Sequence, residues 1–211
     1  MSSRVQDWSV EVETLSVAAH PLRAAAAWSD KYQQFWSDSF DVLDEHLTTP
    51  DSERIKNVVK GIAMTKITSD GIEIDRSFSA PPTKVFDAWT TPQHFARWFG
   101  GTSVRVPINH LDFVAEPGRS WTAQMVLPDG NTIDWAGSFV EVVPHQRLVF
   151  TITDRPSEPS RATVVIVLTA TTDGTQMHFT QETPYFTAEQ QEEVLAGWQS
   201  FIDELERIAI S

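Results

Sequence analysis

From Ile72 to Thr183 apolar residues recur at every second position in a succession of short runs, and after Thr187 the period changes once, to steps of three and four. Period two marks strands with one buried face, and a period near 3.6 marks an amphipathic helix. A series of antiparallel strands followed by one long helix has few ways to bury both apolar faces. The helix must lie across the sheet. Val194, Trp198, Phe201, Leu205 and Ile208 make a single apolar face on a helix of roughly 22 residues. Thr187 with Gln190 three residues on is the capping box that starts it.

The strands can be placed from alternation and turn residues. Ile72 to Phe78 alternates and ends at Ala80-Pro81-Pro82, where a proline suits the first turn of a helix carrying Val85, Phe86 and Trp89. Thr91-Pro92 starts a second short helix with Phe95, Trp98 and Phe99, closed by Gly100-Gly101. Further strands are expected at Leu111–Ala115, Trp121–Leu127, Ile133–Val143, Leu148–Asp154, Thr163–Thr171 and Thr175–Thr183. Pro128-Asp129-Gly130-Asn131 and Thr172-Asp173-Gly174 are hairpin turns, and Arg155 to Ser160 is a proline-punctuated loop.

Upstream the pattern is different. After His20-Pro21, residues Trp28, Tyr32, Phe35, Trp36, Phe40, Leu43 and Leu47 follow helical spacing, and Pro50 stops them. An isolated helix cannot bury three large aromatics on one face. The partner is either the rest of this chain or a second copy. We expect a homodimer, with Trp28, Tyr32, Phe35, Trp36, Phe40 and Leu43 at its interface. The expected division is residues 1–64, a strand and helical segment, and residues 65–211, an α+β domain.

Charge and composition narrow the function. The net charge is −13, with 6 Lys/Arg against 10 Asp/Glu in residues 1–61 and 10 against 19 in residues 62–211. Nucleic-acid binding requires basic patches, so this chain alone is not expected to bind nucleic acid. The longest apolar run, Ala162 to Ala170, is too short to span a bilayer, and Met1 to Val10 has no apolar signal core. A cytoplasmic protein without a membrane partner is expected. There is no cysteine, hence no disulfide and no thiolate ligand, and none of the six histidines forms a metal-binding spacing. No cofactor is expected.

Several phrases occur in a family's order: Ala80-Pro81-Pro82, Val85-Phe86-Asp87-Ala88-Trp89-Thr90-Thr91-Pro92, Phe95-Ala96-Arg97-Trp98-Phe99, Pro128-Asp129-Gly130, Gly137 with Val140 to Pro144, Arg147 to Phe150, and Gly197-Trp198. Together they resemble the bacterial homologues of the activator of heat-shock-protein-90 ATPase, within the START-like, SRPBCC superfamily. The resemblance covers most of residues 65–211 and implies the helix-grip fold, a curved antiparallel sheet around a long C-terminal helix. Pro117-Gly118-Arg119 stands where the family usually has Gly-Gly. Residues 8–47 more weakly resemble the last strand and C-terminal helix of an ArsR-type winged-helix regulator, which in that family helps form the dimer. The preceding helix-turn-helix is missing.

Eight tryptophans and twelve phenylalanines are the chemically informative excess. They suit either a filled core or an apolar cavity with a few polar groups. The resemblance favours the cavity. Its expected lining is Trp98, Phe99, Phe113, Trp121, Met125, Trp135, Phe139, Phe150, Phe179, Gln181, Trp198 and Phe201, with tryptophan indole N–H groups and Gln181 orienting the ligand. The leading expectation is non-enzymatic binding of a hydrophobic or aromatic small molecule, as the sensor part of a regulator. The family name suggests a co-chaperone-like interaction module and a chaperone partner instead. An enzyme would need polar groups converging inside the cavity, drawn from Asp112, Glu116, Asp134, Glu141, Asp154 and Glu182, or a buried Arg.

Overall fold

The computed structural model describes residues 64–102, 104–184 and 186–211. The expected dimer residues Trp28, Tyr32, Phe35, Trp36, Phe40 and Leu43 lie outside the described residues. Among the described residues the strands are β1 (Met64–Ile67), β2 (Gly71–Phe78), β3 (Leu111–Asp112), β4 (Ser120–Val126), β5 (Thr132–Val143), β6 (Arg147–Ile152), β7 (Ala162–Thr171) and β8 (Gly174–Glu182). The helices are α1 (Pro82–Thr90), α2 (Pro92–Trp98) and α3 (Ala188–Ala209).

All eight strands join one antiparallel sheet in the order β1-β2-β8-β7-β6-β5-β4-β3. From β3 to β8 the order follows the chain, and β8 then returns to β2, with Gly71 opposite Glu182 and Phe78 opposite Thr175. Alternation fixes which face is inward. Ile72, Ile74 and Phe78 on β2, Leu148, Phe150 and Ile152 on β6, Val164, Ile166 and Leu168 on β7, and Met177 and Phe179 on β8 are buried under the helices. Helix α3 completes the core with Val194, Trp198, Phe201, Ile202, Leu205 and Ile208. Both halves of its capping box form: Thr187 Oγ1 accepts from the Gln190 N–H, and Gln190 Oε1 accepts from the Thr187 N–H. Each large apolar side chain buried here contributes about 1.5–3 kcal/mol before entropy is counted.

Two elements depart from the sequence expectation. β1 has no counterpart in the sequence pattern, because its four residues are exposed on both faces and carry no alternation. The strand expected over Leu111–Ala115 stops at Asp112, since Phe113 turns inward to stack on Phe95 with ring centroids 4.3 Å apart.

The β5–β6 ladder carries an irregularity that matters below. Ala136 and Thr153 exchange two backbone bonds of 2.9 Å, so the register sets Ser138 opposite Thr151. One donor of that pair is redirected. The Ser138 N–H donates to Thr151 Oγ1 instead, at 3.0 Å, and the Thr151 carbonyl accepts from the Trp121 indole at 3.2 Å. Gly137 makes this possible. A Cβ there would lie 1.7 Å from the Thr151 carbonyl oxygen and 2.6 Å from Trp121 Nε1. Just beyond, Val140 is the extra residue of a β-bulge and points to solvent.

Candidate functional site

The helix pair α1–α2 builds one wall of the space between sheet and α3. Pro92 has no N–H, so the Ala88 carbonyl four residues earlier lacks its helical donor. The Trp98 indole supplies one at 2.8 Å. This bond fixes Trp98 beneath α1, edge-on to Trp89 at 4.6 Å and to Phe95 at 4.9 Å.

Of the twelve expected lining residues, Trp98, Phe99, Phe113, Trp121, Met125, Phe139, Phe150, Phe179, Gln181, Trp198 and Phe201 are buried, and Trp135 is half-buried. The structure brings them into one cluster. Phe99 bridges α2 to α3 through Phe201 at 5.4 Å and to β5 through Trp135 at 5.5 Å. Trp198 lies against Phe179 of β8 at 4.6 Å. Most of these contacts are edge-on or tilted, the arrangement aromatic quadrupoles favour.

Residual exposure is uneven across the cluster. The floor on the sheet is closed: Ile72, Val164, Met177 and Phe179 are at 0%. Gln181, Val194, Trp198 and Phe201 retain 5–8%. These four trace the seam between β8 and the first two thirds of α3; farther along, Ile202 and Leu205 are sealed and Ile208 retains 9%. Near its middle α3 rests on bare backbone, since a Cβ on Gly101 would meet Ser200 Oγ at 2.7 Å.

The polar groups correct one expectation. Four tryptophan indoles expected to orient a ligand are engaged inside the protein. Trp98 donates to Ala88, Trp121 to the Thr151 carbonyl, Trp135 to Met125 Sδ at 3.1 Å, and Trp198 to Gln181 Oε1 at 2.5 Å. A buried N–H without an acceptor is costly, so each was placed where the backbone or a side chain leaves one. Because an indole only donates, the last bond also fixes the Gln181 amide with its oxygen toward Trp198. The exception is Trp89, absent from the expected lining: it is 1% exposed and its Nε1 has no hydrogen-bond partner.

Most charged groups stay at the margins, though Glu193 of α3 is half-buried with its Oε2 shielded from solvent. Asp112, Glu116, Asp134 and Glu182 are exposed, and Glu141 and Asp154 are half-buried. Glu141 pairs with Arg147 Nε at 3.0 Å, and Asp134 accepts from Gln124 at 2.9 Å. His178 occupies the outward face of β8, its Nδ1 2.9 Å from Asp75. Among the described residues no group of three or more His, Cys, Asp or Glu is arranged to hold a metal. No helix of the described residues is long and apolar enough to cross a membrane.

Arg76 shares the parity of Ile72, Ile74 and Phe78, which puts it on the helix side of β2. It reaches α3, contacting Glu206 Oε2 through Nε at 3.1 Å and Nη2 at 2.5 Å, and Asp203 Oδ1 at 2.7 Å. Burial alone would lower the guanidinium pKa. Hydrogen bonds and opposite charge from Glu206 and Asp203 outweigh that and raise it above the ordinary arginine range. This pairing clamps the C-terminal half of α3 to the sheet, while Gln191 Nε2, donating to Thr183 Oγ1 at 2.8 Å, ties down the N-terminal half.

Residues 79–209 match the family model described as activator of Hsp90 ATPase homolog 1-like protein. The chain belongs to that family. The fold is START-like, with its helix-grip arrangement of sheet and α3. A solved protein of Nitrosomonas europaea is 25% identical, with a TM-score of 0.60 over 67% of this chain and 95% of its own. One of Chromobacterium violaceum is 22% identical, with a TM-score of 0.61 over 68% of this chain and 99% of its own. The AHSA1-like protein of Aeromonas hydrophila is 22% identical, with a TM-score of 0.56 over 65% and 90%. No curated protein matches the chain.

Proposed function

We propose that residues 65–211 bind a hydrophobic or aromatic small molecule, without catalysis, at the seam between β8 and the first two thirds of α3. One observation carries this reading: where β8 meets α3, the neighbouring Gln181, Val194, Trp198 and Phe201 each retain 5–8% exposure above a closed sheet floor. The groups gathered there are apolar with one amide as polar handle, the chemistry of a small-molecule site. A ligand burying on the order of 200 Å² of apolar surface gains about 5 kcal/mol gross, which association costs reduce to millimolar affinity or weaker unless polar contacts add to it. The candidate carboxylates Asp112, Glu116, Asp134, Glu141, Asp154 and Glu182 stay outside the cluster and Arg76 is paired, which favours binding over catalysis.

The segment before β1 forms a homodimer in this reading, and the ligand changes that association as the sensor of a cytoplasmic regulator. Native mass spectrometry of the protein purified from a cell extract tests both parts. The expected result is a dimer carrying extra mass that denaturation releases. A bare monomer, unaltered by deleting residues 1–50, overturns the dimer. Absence of retained mass, together with no binding of neutral aromatic probes, overturns the ligand reading and favours a protein-interaction module.

A further inference from the structure

We infer that the ligand is an uncharged molecule with a hydrogen-bond-accepting oxygen, received by the Trp89 indole N–H; this rests on the binding reading above. Trp89 is the meeting point of the three layers. Its ring lies 6.3 Å from Phe150 of β6, 6.3 Å from Phe179 of β8, 6.0 Å from Trp198 of α3 and 4.6 Å from Trp98 of α2. Four neighbouring tryptophans of the interior have each found an acceptor. Trp89 Nε1 is as deeply buried and has none. In a fold that supplies acceptors to Trp98 and Trp121 by rerouting backbone carbonyls, an unfilled donor marks a position where the acceptor comes from elsewhere.

The donor type decides the ligand's chemistry. An indole N–H can only donate, so the matching atom is a carbonyl, ether or hydroxyl oxygen. The other polar group, Gln181, has its amide oxygen committed to Trp198, which leaves its nitrogen as a second donor. Charge decides the rest. The cation on the helix side of the sheet, Arg76, is held by Asp203 and Glu206 at the other end of α3. A carboxylate at the seam would be buried without a counter-ion. The site therefore selects neutral aryl ketones and esters over hydrocarbons of the same shape and over aromatic or fatty acids.

The test uses the full chain with three probes: acetophenone, its near-isostere α-methylstyrene, and benzoate. Each is titrated into ¹⁵N-labelled protein while the tryptophan indole signals are followed, the Trp89 signal being assigned by its loss in Trp89→Phe. Acetophenone is expected to shift the Trp89 indole proton downfield and to bind roughly five- to tenfold more tightly than α-methylstyrene, the yield of one neutral hydrogen bond to a buried donor. In Trp89→Phe that preference is expected to vanish while α-methylstyrene binding persists. Benzoate is expected to bind more weakly than either. The wild-type spectrum stands whether or not the variant folds. Equal affinity for the two neutral probes overturns the inference and leaves the binding reading intact. An upfield Trp89 signal that no probe moves also overturns it, because the N–H is then directed at the Trp98 ring face. If neither neutral probe binds, the inference falls, and the retained-mass experiment decides the binding reading separately.

Discussion

Replacing Gly137 by alanine adds one methyl group where the structure has no room for it. The new Cβ would sit 1.7 Å from the Thr151 carbonyl oxygen, 2.7 Å from its carbon and 2.6 Å from Trp121 Nε1. Two of those atoms are backbone of the neighbouring strand, so a rotamer change cannot relieve the contact. Either β5 and β6 separate, or Trp121 withdraws. Separation breaks the paired Ala136–Thr153 bonds and the Ser138 bond to Thr151 Oγ1. Withdrawal leaves the indole N–H and the Thr151 carbonyl without their shared bond, at about 1–3 kcal/mol, and disturbs ring contacts to Phe95, Phe99 and Phe150. With overpacking strain of about 1–3 kcal/mol, the expected loss is about 4 kcal/mol. In a chain of this size that lowers Tm by roughly 8–16 °C. Gly118→Ala is the comparison. Nothing lies within 4 Å of its Cβ position, and only the φ of +81° opposes a side chain, so about 1–2 kcal/mol is expected. Thermal and urea unfolding followed by circular dichroism measure both variants. A Gly137→Ala loss no larger than that of Gly118→Ala would refute the account of the rerouted ladder.

Two further outcomes follow from polar groups. Trp198→Phe strands the Gln181 amide oxygen and is expected to cost about 1–3 kcal/mol beyond the lost ring volume. Adding Gln181→Leu should recover part of it, and a double-mutant cycle in urea showing no coupling would contradict the pairing. Arg76→Ala frees the C-terminal half of α3 and is expected to cost about 1–2 kcal/mol, since Asp203 is half exposed to solvent. Because the folded-state pKa of Arg76 is raised, this contribution is fully present below the unfolded pKa and is lost only as pH rises through the higher folded value. The wild-type-minus-variant difference should therefore stay constant from neutral pH to the alkaline limit of ordinary buffers. A decline within that window would exclude the clamp as its source.

How far the sequence could be read depended on the range of each signal. α3 was legible in full because five apolar residues repeat over its length and the capping box is local. β2, β4, β5, β7 and β8 were legible from alternation, with ends shifted by a residue or so. β1 was not, since four exposed residues gain their order only by pairing with β2. The aromatic cluster could be named from composition, but the state of each indole N–H could not. That state depends on which carbonyl a distant proline or glycine leaves open, as at Ala88 and Thr151. Trp89 was visible as a helical core position, yet only three-dimensional neighbours distinguish it from Trp98. Arg76 was readable in principle from its parity with Ile72 and Ile74.

The return of β8 to β2 has a kinetic consequence. Gly71 and Glu182 are neighbours in the sheet but far apart along the chain, so β2 gains its inner partner only once β8 has formed. During synthesis the segment from β2 through α2 would emerge early, with Ile72, Ile74, Trp89 and Trp98 lacking most of their final cover. Closing so long a loop is slow, and apolar strand edges wait exposed meanwhile. Nascent chains halted before residue 182 should therefore remain protease-sensitive and bind general chaperones, whatever the mature domain itself binds.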